Sequence, residues 1–222
     1  MAEWVPCAFE SDFSFVLIPV EGSVISVNRN IGVCAALEMG ADYVFMVDSD
    51  QQFMPWTLRR LLAGALAGHD IIGAAYPRRG RPPFSLVGKL ASGQQLTPDL
   101  LHGLAHDVPH EVAELGTGCV LIARKVFEGL GGPHWFKFDV EEQVACPEAA
   151  KPVEVLLAQF VSEDYYFMRR ARAAGFRVWL DTEVSKCLGH TGRVVHYSQG
   201  QVFGPSPNYT SAAWEALAAS VA

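Results

Sequence analysis

Residues Tyr43–Asp50, with the sequence YVFMVDSD, form the stretch that decides the predicted fold. The run is apolar, rich in β-branched and aromatic side chains and as long as a typical strand, which predicts a strand buried on both faces. It ends in Asp48 and Asp50, and residues two apart on a strand point to the same side. Two carboxylates about 4 Å apart repel by roughly 4 kcal/mol at an effective dielectric constant near 20. A divalent cation would offset this repulsion, whereas the alternative is a turn with two solvated aspartates.

The composition indicates a globular protein with a substantial core. The chain has 222 residues, of which 50% are hydrophobic and 18% charged. Its net charge of -7 argues against a surface covered in positive charge for nucleic acid, although it is compatible with one basic face. No apolar run approaches the length of a bilayer span, and the N-terminus lacks the pattern of a secretion signal. Five scattered cysteines without a CxxC pair fit a reduced protein of the cytoplasm.

Strands and helices are expected to alternate in the first part of the chain. The predicted order is a strand at Phe13–Pro19, a helix at Asn28–Met39, the strand ending at Asp48, a helix at Trp56–Ala67 and a strand at Asp70–Tyr76. This alternation predicts an α/β fold with a mostly parallel, doubly wound sheet. Ligands of such sheets bind beyond the carboxyl ends of the strands, where Asp48 and Asp50 lie.

The second part of the chain predicts a small antiparallel region followed by further helices. A hairpin is expected from Phe84 to Leu96, with more strands at Glu111–Leu115, Cys119–Ala123 and Phe176–Leu180. Helices are expected at Arg124–Leu130, from the N-cap Ser162 to Ala174, and at Tyr209–Val221. The segment Gly131–Pro152 is rich in glycine, proline and aromatic residues, which predicts a long functional loop.

Four motifs resemble those of GT-A-fold glycosyltransferases, close to the family 2 type and to small phage-encoded members. They are Asn28-Arg29-Asn30, the DxD motif Asp48-Ser49-Asp50, Ser162-Glu163-Asp164 before an arginine-bearing helix, and Gly175–Asp181 followed by His190-Thr191-Gly192. Each is weak alone, but four in this order across roughly residues 20–196 are more specific. The resemblance implies a single GT-A (Rossmann-like) domain over residues 1–222, with a mostly parallel sheet flanked by helices and a small antiparallel hairpin region. The sequence departs from the family pattern in one respect: residues 13–20 align with the family's second strand, so its usual first strand is expected to be missing. If a phage encodes the protein, the expected location is the host cytoplasm.

The resemblance implies a metal-dependent transfer of a sugar from a nucleotide donor, UDP-glucose or similar, to a hydroxyl acceptor. In this reading Mn²⁺ or Mg²⁺, held by Asp48, Asp50 and His190, neutralises the diphosphate leaving group. His196 is the second choice for the histidine ligand, and the alternative for His190 is an ordinary loop histidine. Ser49 belongs to the donor-binding motif by its position between the two aspartates.

The resemblance also assigns acid–base and donor-binding roles. Asp164 is expected to be the general base for the acceptor hydroxyl, with Glu163 beside it raising its pKa. The alternative is that both acids simply favour a helix N-terminus, which is worth about 0.3–1 kcal/mol. In a retaining enzyme Glu163 or Asp164 would instead stabilise the sugar. Arg29 is expected to contact the donor phosphates and Asn30 the ribose or base, whereas the alternative for Asn30 is a helix cap.

Three further groups have both a functional and a structural interpretation. Gly116-Thr117-Gly118 would let the backbone approach the sugar or acceptor, or would form a tight bend between two strands. His134-Trp135-Phe136 would stack on a sugar or base, or would pack onto the core. Arg78, Arg79 and Arg81 would contact phosphate, including that of nucleic acid, or would form a solvated loop.

The acceptor and the class of protein remain open among several hypotheses. Some phage members of the family glycosylate hydroxymethylated bases in DNA, which makes double-stranded DNA with 5-hydroxymethylated pyrimidines one expected partner. The alternatives are a glycan or protein acceptor, or a non-catalytic module that binds a nucleotide sugar. A nucleotidyltransferase would need a glycine-rich, basic phosphate loop near the N-terminus, and the sequence contains none.

Overall fold

The computed structural model describes residues 13–78, 85–141, 152–191, 195–197 and 202–203. The chain divides into two compact units, each made of two separate stretches. The first unit comprises Met1–Val44 with Ile122–Arg177, and the second comprises Phe45–Leu121 with Val178–Ala222. The single domain expected over residues 1–222 stays a prediction.

Helices and strands account for most of the described chain. The helices are α1 (Ile25–Glu38), α2 (Thr57–Leu66), α3 (Pro98–Gly103), α4 (Arg124–Leu130), α5 (Pro152–Gln159), α6 (Glu163–Ala173) and α7 (Thr182–Cys187). The strands are β1 (Tyr43–Val47), β2 (Gln51–Gln52), β3 (Ile71–Gly73), β4 (Gly88–Leu90), β5 (His110–Leu115), β6 (Cys119–Ala123), β7 (Asp139–Val140), β8 (Phe160–Val161), β9 (Val178–Leu180), β10 (Gly189–Thr191), β11 (Val195–Tyr197) and β12 (Val202–Phe203). Within the described residues, no helix has the length and apolar character needed to cross a bilayer.

The largest sheet has six strands in the order β1-β6-β3-β9-β5-β4, which confirms the predicted α/β class. Its strand directions correct the expectation of a mostly parallel sheet. β3 and β9 are parallel, whereas β9 pairs antiparallel with β5, and β5 antiparallel with β4.

A second, antiparallel sheet has the order β12-β11-β10-β2. In its register, His190 on β10 lies opposite Gln51 on β2 and opposite His196 on β11. The sequence predicts only a loop after Asp181, so this sheet is new information. Its functional importance is that it brings the residues around the DxD motif next to the predicted histidine.

Several predicted elements are present with shifted ends. α4 begins and ends as predicted, whereas α1 begins at Ile25 rather than Asn28. The turn of the expected hairpin is confirmed, because Gly93 N–H donates to the Leu90 carbonyl at 2.8 Å. The helix expected at Tyr209–Val221 lies outside the described residues.

Two predictions about apolar runs are wrong. The strand expected at Phe13–Pro19 is absent, because those residues adopt no regular structure, and Leu17 is 52% exposed. The strand of the opening motif exists as β1, but of its five residues only Met46 is buried, and the other four are partly exposed. Among the described strands, β1 is the last of the six-stranded sheet, so it has a strand neighbour on one side only, unlike a central strand.

Each unit has its own apolar core. In the first unit, Phe136 stacks on Phe167 at 4.6 Å between ring centroids, and Phe127 packs against Phe167 at 5.7 Å. In the second unit, the fully buried Ile71 and Ile72 of β3 contribute to the core.

Candidate functional site

The DxD residues occupy a tight turn between β1 and β2 in the second unit. Asp48 N–H donates to the Gly118 carbonyl, and Gln51 N–H donates back to the Asp48 carbonyl, both at 3.0 Å. Ser49 is exposed in this turn, whereas both aspartates are partly buried. The two carboxylates therefore project from a turn whose backbone is held by hydrogen bonds at both ends.

His190 faces this turn in a defined tautomer. Its Nδ1 lies 2.8 Å from the carbonyl oxygen of Pro77, and its Nε2 lies 3.4 Å from Oδ2 of Asp50. Since a carbonyl oxygen can only accept, Nδ1 must carry the hydrogen. The other nitrogen, Nε2, is then directed at a carboxylate. A backbone carbonyl that fixes the tautomer in this way is the usual companion of a metal-binding histidine.

Asp50 and His190 fit a shared cation. Ligand atoms at about 2.0–2.2 Å from one metal can lie about 3 to 3.5 Å apart, and the observed 3.4 Å falls in that range. The structure does not complete the predicted set of three, because no group of three or more His, Cys, Asp or Glu residues is placed to hold a metal among the described residues. Hard cations often keep several waters and substrate oxygens as ligands, so a site with two protein ligands is compatible with such a cation.

Residues Gly116-Thr117-Gly118 make room for a tyrosine that the sequence analysis missed. A Cβ at Gly116 would lie 2.3 Å from the Tyr76 hydroxyl, and one at Gly118 would lie 2.8 Å from that hydroxyl and 2.9 Å from Asp48 Oδ2. Gly118 N–H also donates to the Tyr76 hydroxyl at 3.2 Å. Thr117 is fully buried, so the tight bend is the better of the two interpretations.

Tyr76 links this bend to the histidine. Its ring meets the His190 ring edge to face, with 5.5 Å between centroids and an interplanar angle of 83°. Such a contact restricts how the imidazole can tilt. The only sequence signal for Tyr76 was its place at the end of the strand predicted at Asp70–Tyr76.

Gln51 is a second residue that the sequence analysis missed. Its residue exposure is 8%, and neither Nε2 nor Oε1 has a hydrogen-bond partner among the described residues. It is the register partner of His190, and the side chains of such a pair lie on the same face of the sheet. Its position directly after the DxD motif was the available signal.

In the first unit, Arg29 of α1 lies against both acids at the start of α6. Its Nε is 3.4 Å from Glu163 Oε1 and 3.4 Å from Asp164 Oδ1. All three residues are buried. Arg29 was expected to contact donor phosphates, whereas in the structure its guanidinium contacts the two carboxylates. Ser162 precedes them at the helix N-cap, although its side chain makes no capping hydrogen bond.

The pair of acids has unusual protonation chemistry. The pKa of Glu163 is raised to about 7, mainly by burial and also by the neighbouring Asp164 carboxylate, while Arg29 offsets part of the effect. A carboxyl group that exchanges its proton near neutral pH is suited to general acid–base catalysis. The sequence analysis favoured Asp164 as the base, whereas the structure marks Glu163 as the acid with the perturbed pKa.

Asn30 and the aromatic segment that follows α4 hold one another in place. Asn30 Nδ2 donates to the Phe136 carbonyl at 2.8 Å, and Asn30 Oδ1 accepts from Phe136 N–H at 3.0 Å. Trp135 and Phe136 are buried, with Trp135 Nε1 donating to the Phe127 carbonyl at 2.9 Å. Of the two interpretations for this segment, packing onto the core describes Trp135 and Phe136. His134 alone is exposed.

The remaining predicted residues are only partly described. Arg78 is exposed, and its backbone N–H donates to the Ser85 carbonyl at 2.9 Å. Arg79 and Arg81 lie outside the described residues, as does Gly192. His196 is described only through its backbone register with His190. Phosphate contact by the basic cluster stays a prediction.

The fold is similar to that of a distant viral protein. The crystal structure of A197 from STIV matches with a TM-score of 0.53, covering 85% of this chain and 80% of that chain at 16% sequence identity. At this identity the similarity concerns the fold alone. No protein-family model matches the chain, and no curated protein matches it in sequence.

The packing around the bend predicts that Gly118→Ala is destabilising. Its Cβ would meet Asp48 and Tyr76 at under 3 Å, so we expect a loss of about 1–3 kcal/mol in unfolding free energy, measured by denaturant titration. Gly103→Ala is the matched control, because a Cβ there meets nothing within 4 Å. Equal stability of the two variants would contradict the close packing.

The buried acid predicts a specific pH dependence of stability. Between the ordinary glutamate pKa of 4.5 and the folded value of about 7, the folded state binds more protons than the unfolded state. Unfolding free energy should therefore fall as pH rises through this window, by at most about 3 kcal/mol. Glu163→Gln should remove this part of the slope, while Glu141→Gln, at a half-exposed acid, should keep it. Identical slopes in all three proteins would count against a raised pKa.

Proposed function

We propose that this chain is a metal-dependent glycosyltransferase that moves a sugar from a nucleotide-sugar donor to a hydroxyl acceptor. The observation that carries the proposal is His190 Nε2 at 3.4 Å from Asp50 of the DxD turn, with Nδ1 fixed by Pro77. The similarity to A197, which has a glycosyltransferase-like fold, supports the same class.

The proposed donor site has Asp50 and His190 as its cation ligands. A bound Mn²⁺ or Mg²⁺ supplies a Lewis acid that neutralises the charge on a diphosphate leaving group. The protein contributes an anionic oxygen from Asp50 and a nitrogen whose tautomer the Pro77 carbonyl holds. Asp48 contributes negative charge from the same turn. A UDP-linked donor such as UDP-glucose is the proposed substrate.

The proposed proton acceptor is the Glu163–Asp164 pair. The acceptor hydroxyl gives its proton to a carboxylate of the pair, and its oxygen forms a bond to the anomeric carbon of the sugar. The bond from that carbon to the diphosphate oxygen breaks, and its electron pair stays with the nucleoside diphosphate. The pKa of Glu163 at about 7 suits proton uptake near neutral pH, and Arg29 compensates the remaining negative charge.

Two classes of acceptor hydroxyl fit the proposed reaction. A hydroxymethylated pyrimidine in double-stranded DNA is one proposed acceptor, supported by the exposed Arg78 at the start of the basic cluster. A glycan or protein hydroxyl is the alternative. Binding to duplex DNA that weakens steeply with salt and is lost in a triple Arg78, Arg79 and Arg81 variant would favour the DNA acceptor.

The donor site predicts metal-dependent binding of UDP. Calorimetry should show UDP binding in the presence of Mn²⁺ that weakens at least about tenfold when Mn²⁺ is removed, or in Asp50→Ala or His190→Ala. His102→Ala, at an exposed histidine of α3, is the matched control and should bind as the natural protein does. Equal binding without metal, or in Asp50→Ala, would contradict the donor site.

The acid pair predicts a pH-dependent turnover. With UDP-glucose, Mn²⁺ and panels of hydroxymethylated DNA and glycan acceptors, kcat/KM should rise with pH through an apparent pKa near 7. Glu163→Gln or Asp164→Asn should lower kcat at least about 100-fold while UDP binding persists. A different result would indicate a non-catalytic binding module: the natural protein binds the donor but turns over no acceptor, and both variants bind the donor equally well.

A further inference from the structure

Gln51 is a buried carboxamide whose polar atoms have no role in holding the described part of the fold together. Only 8% of the residue is exposed, and neither its nitrogen nor its oxygen has a hydrogen-bond partner among the described residues. Most buried side-chain polar atoms in proteins are paired, because an unpaired one loses its hydration without compensation. The position therefore carries a cost to the fold that a bound group would recover.

The location of Gln51 indicates which group that would be. It follows Asp50 directly in the chain, and it is the register partner of His190, so its side chain shares a face of the sheet with the imidazole. His190 Nε2 lies 3.4 Å from Asp50 Oδ2, which is the cation pair of the proposed function. A ligand held at that pair lies beside the carboxamide.

The chemistry of a carboxamide narrows the ligand further. Its nitrogen donates and its oxygen accepts, so a matching group must offer both an acceptor and a donor. Ionised phosphate oxygens only accept, which leaves Oε1 without a partner. A hydroxyl group offers both functions, and the two sugar rings of a nucleotide sugar are the parts bonded directly to its diphosphate.

We propose that Gln51 is a specificity residue that hydrogen-bonds a ring hydroxyl of the sugar held next to the Asp50–His190 pair. The inference rests on the proposed function, since it places a nucleotide sugar at that pair. A site built to hydrogen-bond a hydroxyl discriminates strongly against analogues that lack it, because its buried polar atoms are then left unpaired. Gln51 would thus select for a ligand that carries this hydroxyl.

The test separates a role in binding from a role in folding. Gln51→Met removes the amide at nearly constant length, and Gln52→Met is the matched control, because neighbouring strand residues point to opposite faces. Thermal unfolding should show Gln51→Met to be as stable as the natural protein or more stable. Its affinity for UDP-glucose with Mn²⁺, measured by calorimetry, should fall about 10- to 100-fold, while Gln52→Met binds normally.

Comparison of two ligands identifies the ring. A loss confined to UDP-glucose, with UDP binding unchanged, assigns the contact to the glucose ring. An equal loss for UDP and UDP-glucose assigns it to the ribose. Either result supports the inference, since both rings carry the hydroxyl that the carboxamide requires.

Three results would overturn the inference. Unchanged affinity for both ligands in Gln51→Met would remove Gln51 from the site while leaving the proposed function intact. Destabilisation of both Gln51→Met and a second apolar replacement, Gln51→Leu, would show that the amide serves the fold. Failure of the natural protein to bind either ligand with Mn²⁺ would refute the proposed donor, and the sugar contact with it.

Discussion

The hydrogen bond from His190 to the Pro77 carbonyl is the constraint on which the chemistry of the second unit depends. Without it, the imidazole could present either nitrogen to the DxD turn, or rotate away from it. With it, Nε2 has one position, 3.4 Å from Asp50. The Tyr76 ring restricts the imidazole from the side, and Gly116 and Gly118 leave the space that Tyr76 occupies. A small number of backbone features therefore determines the direction of one lone pair.

The first unit is governed by a different constraint, an imbalance of buried charge. One guanidinium faces two carboxylates, so full ionisation of both acids would leave an uncompensated negative charge in a poorly hydrated place. The system relieves that charge by keeping a proton until the pH is near neutral. The same arrangement that makes the group chemically useful makes it unfavourable for stability, as is common where proteins use buried acids.

The sequence predicted local features well and long-range packing poorly. Short patterns of residues were enough to predict the DxD turn after a strand, the bounds of α4 and the two acids that begin α6. They did not predict the edge position of β1, because hydropathy reports how apolar a strand is but not which strands flank it. Phe136 stacks on Phe167 of helix α6, and no pattern near Phe136 in the sequence shows that partner.

The same limit applies to the functional residues themselves. In the sequence, Gln51 is one polar residue after the DxD motif. In the structure it lies opposite His190 on the same face of a sheet, and it is buried. Asn30 matched a nucleotide-side motif, but its amide pairs with the backbone of Phe136, a partner that only the folded chain brings near. The spacing of residues along the chain thus identified which types of side chain could form a site. The contacts in the folded structure determine which of their polar atoms are available to bind a ligand.

The Arg29–Glu163 contact also has a consequence for how the protein is made. The two residues are 134 positions apart in the chain. At ribosomal rates of about 5–20 residues per second, Glu163 is synthesised roughly 7–27 s after Arg29. Until residue 122 has been synthesised, α1 has none of the partners that Ile122–Arg177 supplies, so the first unit can close only after that stretch is made. A nascent chain stalled before residue 122 would therefore contain the DxD turn but none of the acid pair, and α1 would be open to chaperones.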